Sequence, residues 1–109
     1  MKPGMVIEIL TFEGCPNAQI TRDRVARALQ LESARAAVSE IEVNSVELAQ
    51  RVHFLGSPSV RVDGHDVEPG ADERRDYGLM CRTYGKNEVS GRAPSLTMVR
   101  NAIRTRRNS

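Results

Sequence analysis

Cys15 and Cys81 are the residues of this chain with the most chemistry to offer. Cys15 lies in Thr11-Phe12-Glu13-Gly14-Cys15-Pro16-Asn17-Ala18, where an apolar run ends and a helical pattern begins. Gly14 permits a sharp turn. Pro16 suits the first position of a helix, where a missing N–H costs nothing. Cys15 is therefore expected at a helix N-terminus, where free N–H groups and the macrodipole favour an anion. A thiol in such a place can have its pKa lowered from about 8.5 to roughly 3.5–7.5. The turn thus proposes a thiolate nucleophile or a metal ligand. The bland alternative is a half-buried Cys that acts as a small hydrophobe.

Cys81 lies in Tyr77-Gly78-Leu79-Met80-Cys81-Arg82-Thr83-Tyr84. Three readings of it stand side by side. It could resolve a mixed disulfide formed on Cys15. It could share a soft metal with Cys15, since paired thiolates suit Hg(II), Cu(I) or Zn(II). It could also be structural filler. Arg82 is adjacent, but neighbouring side chains on a strand point to opposite faces. His53 and His65 lack ligand spacing with either Cys and read as surface residues. Glu68, Asp72, Glu73 and Asp76 read as a solvated acidic loop. There is no phosphate-cradling Gly loop, no Ser/His/Asp arrangement and no zinc ribbon. Gly56-Ser57-Pro58 is not the Gly-x-Ser-x-Gly of a nucleophile elbow.

The elements that must position these residues follow from pattern. Val6, Ile7, Ile9 and Leu10, with Phe12 behind them, predict a buried strand. Residues 16–32 predict a helix, with Ala18, Ile20, Val25, Ala28 and Leu29 on its apolar face. Val38, Ile41 and Val43 mark a second strand. Asn44 followed by Glu47 predicts a helix cap, and that helix is expected to run to about Leu55 with Gly56 as its stop. Val60-Arg61-Val62 alternates as a strand, Asp63-Gly64 signals a hairpin, and His65-Asp66-Val67 begins the return. Residues 68–93 are irregular, with a short strand expected at Leu79, Cys81 and Thr83. Pro94-Ser95 opens a last helix. A βαβ unit followed by a hairpin and a helix is an α/β fold with a mixed four-stranded sheet.

The Cys15 turn resembles the active-site turn of the thioredoxin-like superfamily, in which a strand leads into Cys-x-x-Cys or Cys-x-x-Ser. Here the fourth position is Ala18, so the local dithiol is absent. Gly56-Ser57-Pro58-Ser59-Val60 is a second mark of resemblance. A proline there is cis in thioredoxin-like proteins, and the residue before it offers backbone hydrogen bonds to a bound peptide or thiol. The resemblance covers roughly residues 5–67 and the last helix. It implies a three-layer sandwich, a cis Pro58, and Pro16, Ser57 and Pro58 as substrate-contacting residues. The chain is also similar to small bacterial thioredoxin-like proteins often labelled alkylmercury lyase-like. These carry Phe-Glu-Gly-Cys-Pro-Asn, a Phe-Leu-Gly-Ser-Pro segment running to Asp-Gly, and a later Cys-Arg-x-Tyr, matched here at Phe12 to Asn17, Phe54 to Gly64 and Cys81 to Tyr84.

Composition bounds the rest. The 109 residues make one domain, 39% hydrophobic and 28% charged, with four aromatic residues and no Trp. A net charge of +2 does not argue for nucleic acid. Arg100 and Arg104-Thr105-Arg106-Arg107 read as a solvated, frayed helix end. No apolar run approaches the ~20 residues that span a bilayer. Met1-Lys2-Pro3-Gly4 leads straight into a strand without a signal-peptide pattern, so a cytoplasmic location with reduced thiols is the expectation. The leading functional reading is a thiol redox or thiol-transfer protein acting through Cys15 on a thiol or disulfide, protein or small molecule. No cofactor is implied. One alternative is a soft-metal-binding or alkylmercury lyase-like protein using Cys15 and Cys81. The other is a non-enzymatic thioredoxin-like adaptor with an inert Cys.

Overall fold

The computed structural model describes residues 4–85 and 91–108. Residues 1–3, expected to lead into the first strand, and residues 86–90 of the irregular segment lie outside the described residues. The order is β1 (Met5–Thr11), α1 (Ala18–Leu31), β2 (Ala36–Glu42), α2 (Val46–Arg51), β3 (Ser59–Val62), β4 (His65–Asp66) and α3 (Leu96–Arg107). A 3₁₀ turn, Ala71–Glu73, interrupts the long segment before α3. The sheet runs β2-β1-β3-β4. β1 is parallel to β2 and antiparallel to β3, and β3 is antiparallel to β4, so the expected mixed four-stranded sheet is present.

β1 buries Ile7 and Ile9 on one face and Leu10 on the other, while Val6 near its start stays exposed. Ile7 and Ile9 join Val60 and Val62 of β3 in a core closed by Val25 and Ala28 of α1 and by Val99 and Ile103 of α3. Leu10 points the other way, into a smaller cluster with Val43, Ala49 and Phe54. Helices on both sides of the sheet give three layers, an arrangement compatible with the thioredoxin-like sandwich. Among the described residues no helix is long and apolar enough to cross a membrane.

The helix boundaries correct the sequence expectations in ways that matter for the site. α1 starts at Ala18 rather than at Pro16. α2 is capped by Ser45, whose Oγ accepts from Leu48 N at 3.1 Å, and not by Asn44. It ends at Arg51 rather than near Leu55. There His53 turns left-handed with φ 57°, and Phe54 N and His53 N reach back to the carbonyls of Ala49 and Gln50. That is a Schellman closure, and it drops Phe54 into the core. The expected strand over Leu79, Cys81 and Thr83 is reduced to one bridge, Ser57 to Cys81.

The arginines at the end of α3 are not a frayed, solvated run. Glu32, the buried C-cap of α1, accepts from Arg104 Nε at 2.9 Å and from Arg100 Nε at 2.7 Å. Arg107 donates to the same carboxylate at 3.2 Å and to the Glu32 backbone carbonyl. The hydrogen bonds from Arg104, and next those from Arg100, hold the Glu32 carboxyl at about 2. An unfolded Glu titrates at about 4.3. The clamp is therefore complete above that value and is lost as pH falls toward 2. Glu32→Gln is expected to lower Tm near neutral pH. The gap to wild type should close as pH drops through that window. Thermal melts of both proteins from pH 6 to pH 2 check it, and a gap independent of pH would contradict the clamp.

Candidate functional site

Cys15 stands in a turn ahead of α1, not at the helix N-terminus. Asn17 is the N-cap, and the Ala18 N–H is already taken by the Cys15 carbonyl at 3.3 Å. Pro16 is exposed in the turn and is not the first helical residue. Gly14 takes φ 78°, which lets the chain leave β1 and reverse toward the helix. The Cys15 N–H closes the turn onto the Phe12 carbonyl at 3.3 Å. Asn44, freed from capping α2, pins the turn from the side, with its Oδ1 accepting from Glu13 N at 2.8 Å. The Cys15 side chain is half-buried.

Ser57 joins this turn to the rest of the site. The Ser57–Pro58 bond is cis, as the resemblance implies. Ser57 is buried, and its Oγ accepts from Phe12 N at 3.2 Å. Its backbone carries Cys81. Ser57 N donates to the Met80 carbonyl at 2.8 Å, and Arg82 N donates to the Ser57 carbonyl at 3.0 Å. Residues paired across such a bridge carry their side chains on the same face, and their neighbours on the other. Cys81 is thus on the same face of this bridge as the Ser57 side chain. Its side chain is exposed, and both thiols are free.

Arg82 points to the opposite face and does not assist Cys81 directly. It is 2% exposed. Its guanidinium grips Asp66 with two hydrogen bonds, at 2.7 and 2.8 Å, and also reaches Glu68 at 3.2 Å and Ser59 Oγ at 2.9 Å. It lies 4.4 Å from the ring centroid of Tyr84, whose hydroxyl donates to the Pro58 carbonyl. Burial works against the Arg82 charge, but the bonds to Asp66 and its partners outweigh it and raise the pKa. Burial also pushes the Tyr84 phenol up. Glu68 accepts from Gly85 N at 3.1 Å, so it is not part of a merely solvated loop.

The other end of the segment is fixed on α2 and its C-terminal turn. Tyr77 stacks on His53 with centroids 4.6 Å apart. The Tyr77 carbonyl accepts from Gln50 Nε2 at 3.0 Å, and Gly78 N donates to the Phe54 carbonyl at 2.9 Å. Residues 77–85 therefore form a strap, held at both ends, that presents Cys81 beside Ser57.

No family model, curated protein or solved structure matches this chain.

Sequence reasoning missed the buried grip of Arg82. A usable signal was present in two complementary pairs at spacing two, Asp66-x-Glu68 and Arg82-x-Tyr84, each on one side of an extended chain. His53 and His65 are exposed, as expected. Among the described residues no group of three or more His, Cys, Asp or Glu could hold a metal ion. Any metal on the two thiols would have to accept them without such further ligands.

Proposed function

We propose that this is a thioredoxin-like thiol protein in which Cys15 attacks a disulfide and Cys81, carried on the strap, resolves the product. The observation that supports it is the double tie at Ser57: its side chain holds the Cys15 turn and its backbone holds the Cys81 bridge. Ala18 removes the usual nearby partner, and the strap supplies another from a distant part of the sequence.

The Cys15 thiolate attacks one sulfur of RS–SR, a Cys15–S–SR bond forms, and RS⁻ leaves. The Cys81 thiolate then attacks the Cys15 sulfur and expels the second RS⁻. The two protein thiols have lost their protons and two electrons, and RS–SR has become two RSH. An external thiol reductant resets the pair. Cys15 takes the attacking role because its turn is the one that resembles the thioredoxin-like active-site turn, and Cys81 on the strap takes the resolving role.

Mild oxidation with diamide is expected to give an intramolecular Cys15–Cys81 disulfide in the wild type. Cys81→Ser should stop at a Cys15 mixed disulfide or an intermolecular dimer. Peptide mapping by mass spectrometry under non-reducing conditions reads both. Only intermolecular dimers or sulfenic acid in the wild type would remove Cys81 from the mechanism. The same pair of thiols supports a second reading, capture of a two-coordinate soft ion such as Hg(II). One ion per protein, lost in either single Cys variant, would favour it.

A further inference from the structure

We infer that the strap fills the backbone positions that an extended peptide would need beside the thiols, so that the site takes a compact, low-molecular-weight disulfide and not a peptide. This rests on the reading of Cys15 as the reacting thiol. Extended peptides are held by adding a strand, through N–H and C=O groups left free on a sheet edge. At Ser57 and its neighbours beside the Cys15 turn those groups are spent. Ser57 N and Ser57 O are both bonded to the strap, through Met80 O and Arg82 N. Phe12 N is held by Ser57 Oγ and Glu13 N by Asn44. The Pro58 carbonyl is held by the Tyr84 hydroxyl.

The strap is not free to step aside. Displacing Met80 and Arg82 from Ser57 would draw the Arg82 guanidinium away from Asp66 and Glu68, which grip it in a buried setting. The Tyr77 end would have to leave His53 and Gln50 as well. With the Ser57 backbone closed, the half-buried Cys15 sulfur and the exposed Cys81 sulfur are both free. A ligand recognised by sulfur alone, without a backbone to pair, fits that arrangement.

The test compares two mixed disulfides of 2-mercaptoethanol on reduced wild-type protein. One carries N-acetylcysteine methylamide and the other a ten-residue extended peptide with a central Cys. Each backbone hydrogen bond gained by the peptide would raise the rate by up to about tenfold, so two would give roughly a hundredfold advantage. The expected ratio of rates at Cys15 is close to one or favours the small disulfide. A peptide advantage above about tenfold would overturn this inference alone. Failure of Cys15 to react with either disulfide would overturn it together with the reading it rests on. Hydrogen exchange gives a second readout. Protection of the Ser57 and Arg82 amides should be the same in the free protein and in Cys81→Ser protein carrying the peptide on Cys15. Loss of that protection in the adduct would mean that the peptide has displaced the strap, and would also overturn the inference.

Discussion

Arg82→Met is expected to cost about 3–5 kcal/mol of stability, because it removes one partner of a buried ion pair and leaves the other charged. Asp66 would keep a nearly buried carboxylate with its two guanidinium bonds gone, and Glu68 would keep only the longer contact from Arg74 at 3.9 Å. The methionine fills much of the volume but supplies no hydrogen bonds to Asp66, Glu68 or Ser59. Arg82→Lys keeps the charge, yet an ammonium cannot reproduce the two-pronged grip on Asp66. It should therefore fall between wild type and Met. Chemical denaturation measures the stability of each variant. Alkylation of Cys81 gives a second, local readout, since a loosened strap should expose the thiol further and raise its rate ahead of global unfolding. A cost below about 1 kcal/mol for Arg82→Met, the range of an exposed ion pair, would show that the network adds little to stability.

The contrast between what sequence reading caught and what it missed has a physical basis. Regular elements announce themselves through local periodicity, so α1, α3, β1 and the Asp63-Gly64 hairpin were legible. So was the proximity of Ser57-Pro58 to the Cys15 turn, through the resemblance. Ends of helices were not. One residue decided whether Asn44 or Ser45 capped α2, and Asn44 turned out to hold the Cys15 turn instead. The helix expected to begin at Pro16 begins two residues later, because the chain first closes a turn from Cys15 to Ala18.

Long-range polar contacts were the least legible part. Glu32 meets three arginines that follow it by most of the chain, and Arg82 meets Asp66 and Glu68 across an irregular segment. A charged residue in a loop reads as solvated until the fold shows what covers it. In both places the sequence offered an ordinary acidic or basic residue, and the fold made it a buried partner.

Gly56→Ala is the second change expected to have a large effect, and it probes the strap from the opposite side. Gly56 takes φ 114°, a backbone conformation that L side chains rarely adopt, so the substitution is strained whatever space surrounds it. Space is short as well. A Cβ there would lie 3.0 Å from the Arg82 Cβ and 3.0 Å from the Met80 carbonyl oxygen. Neither is the far end of a flexible side chain, and both belong to the residues that bond Ser57. Backbone strain of this kind costs about 1–3 kcal/mol, and overpacking adds about 1–3 kcal/mol. Relief requires that Met80 and Arg82 move off Ser57, so the Cys81 bridge should loosen. The variant is expected to melt several degrees below wild type, to lose protection at the Ser57 and Arg82 amides, and to form the Cys15–Cys81 disulfide less readily. Gly78→Ala is the control. It lies in the same strap with nothing within 4 Å of its added Cβ, and should change none of the three. If Gly56→Ala behaves like that control, the close approach of the strap to Gly56 is not what holds Cys81 in place.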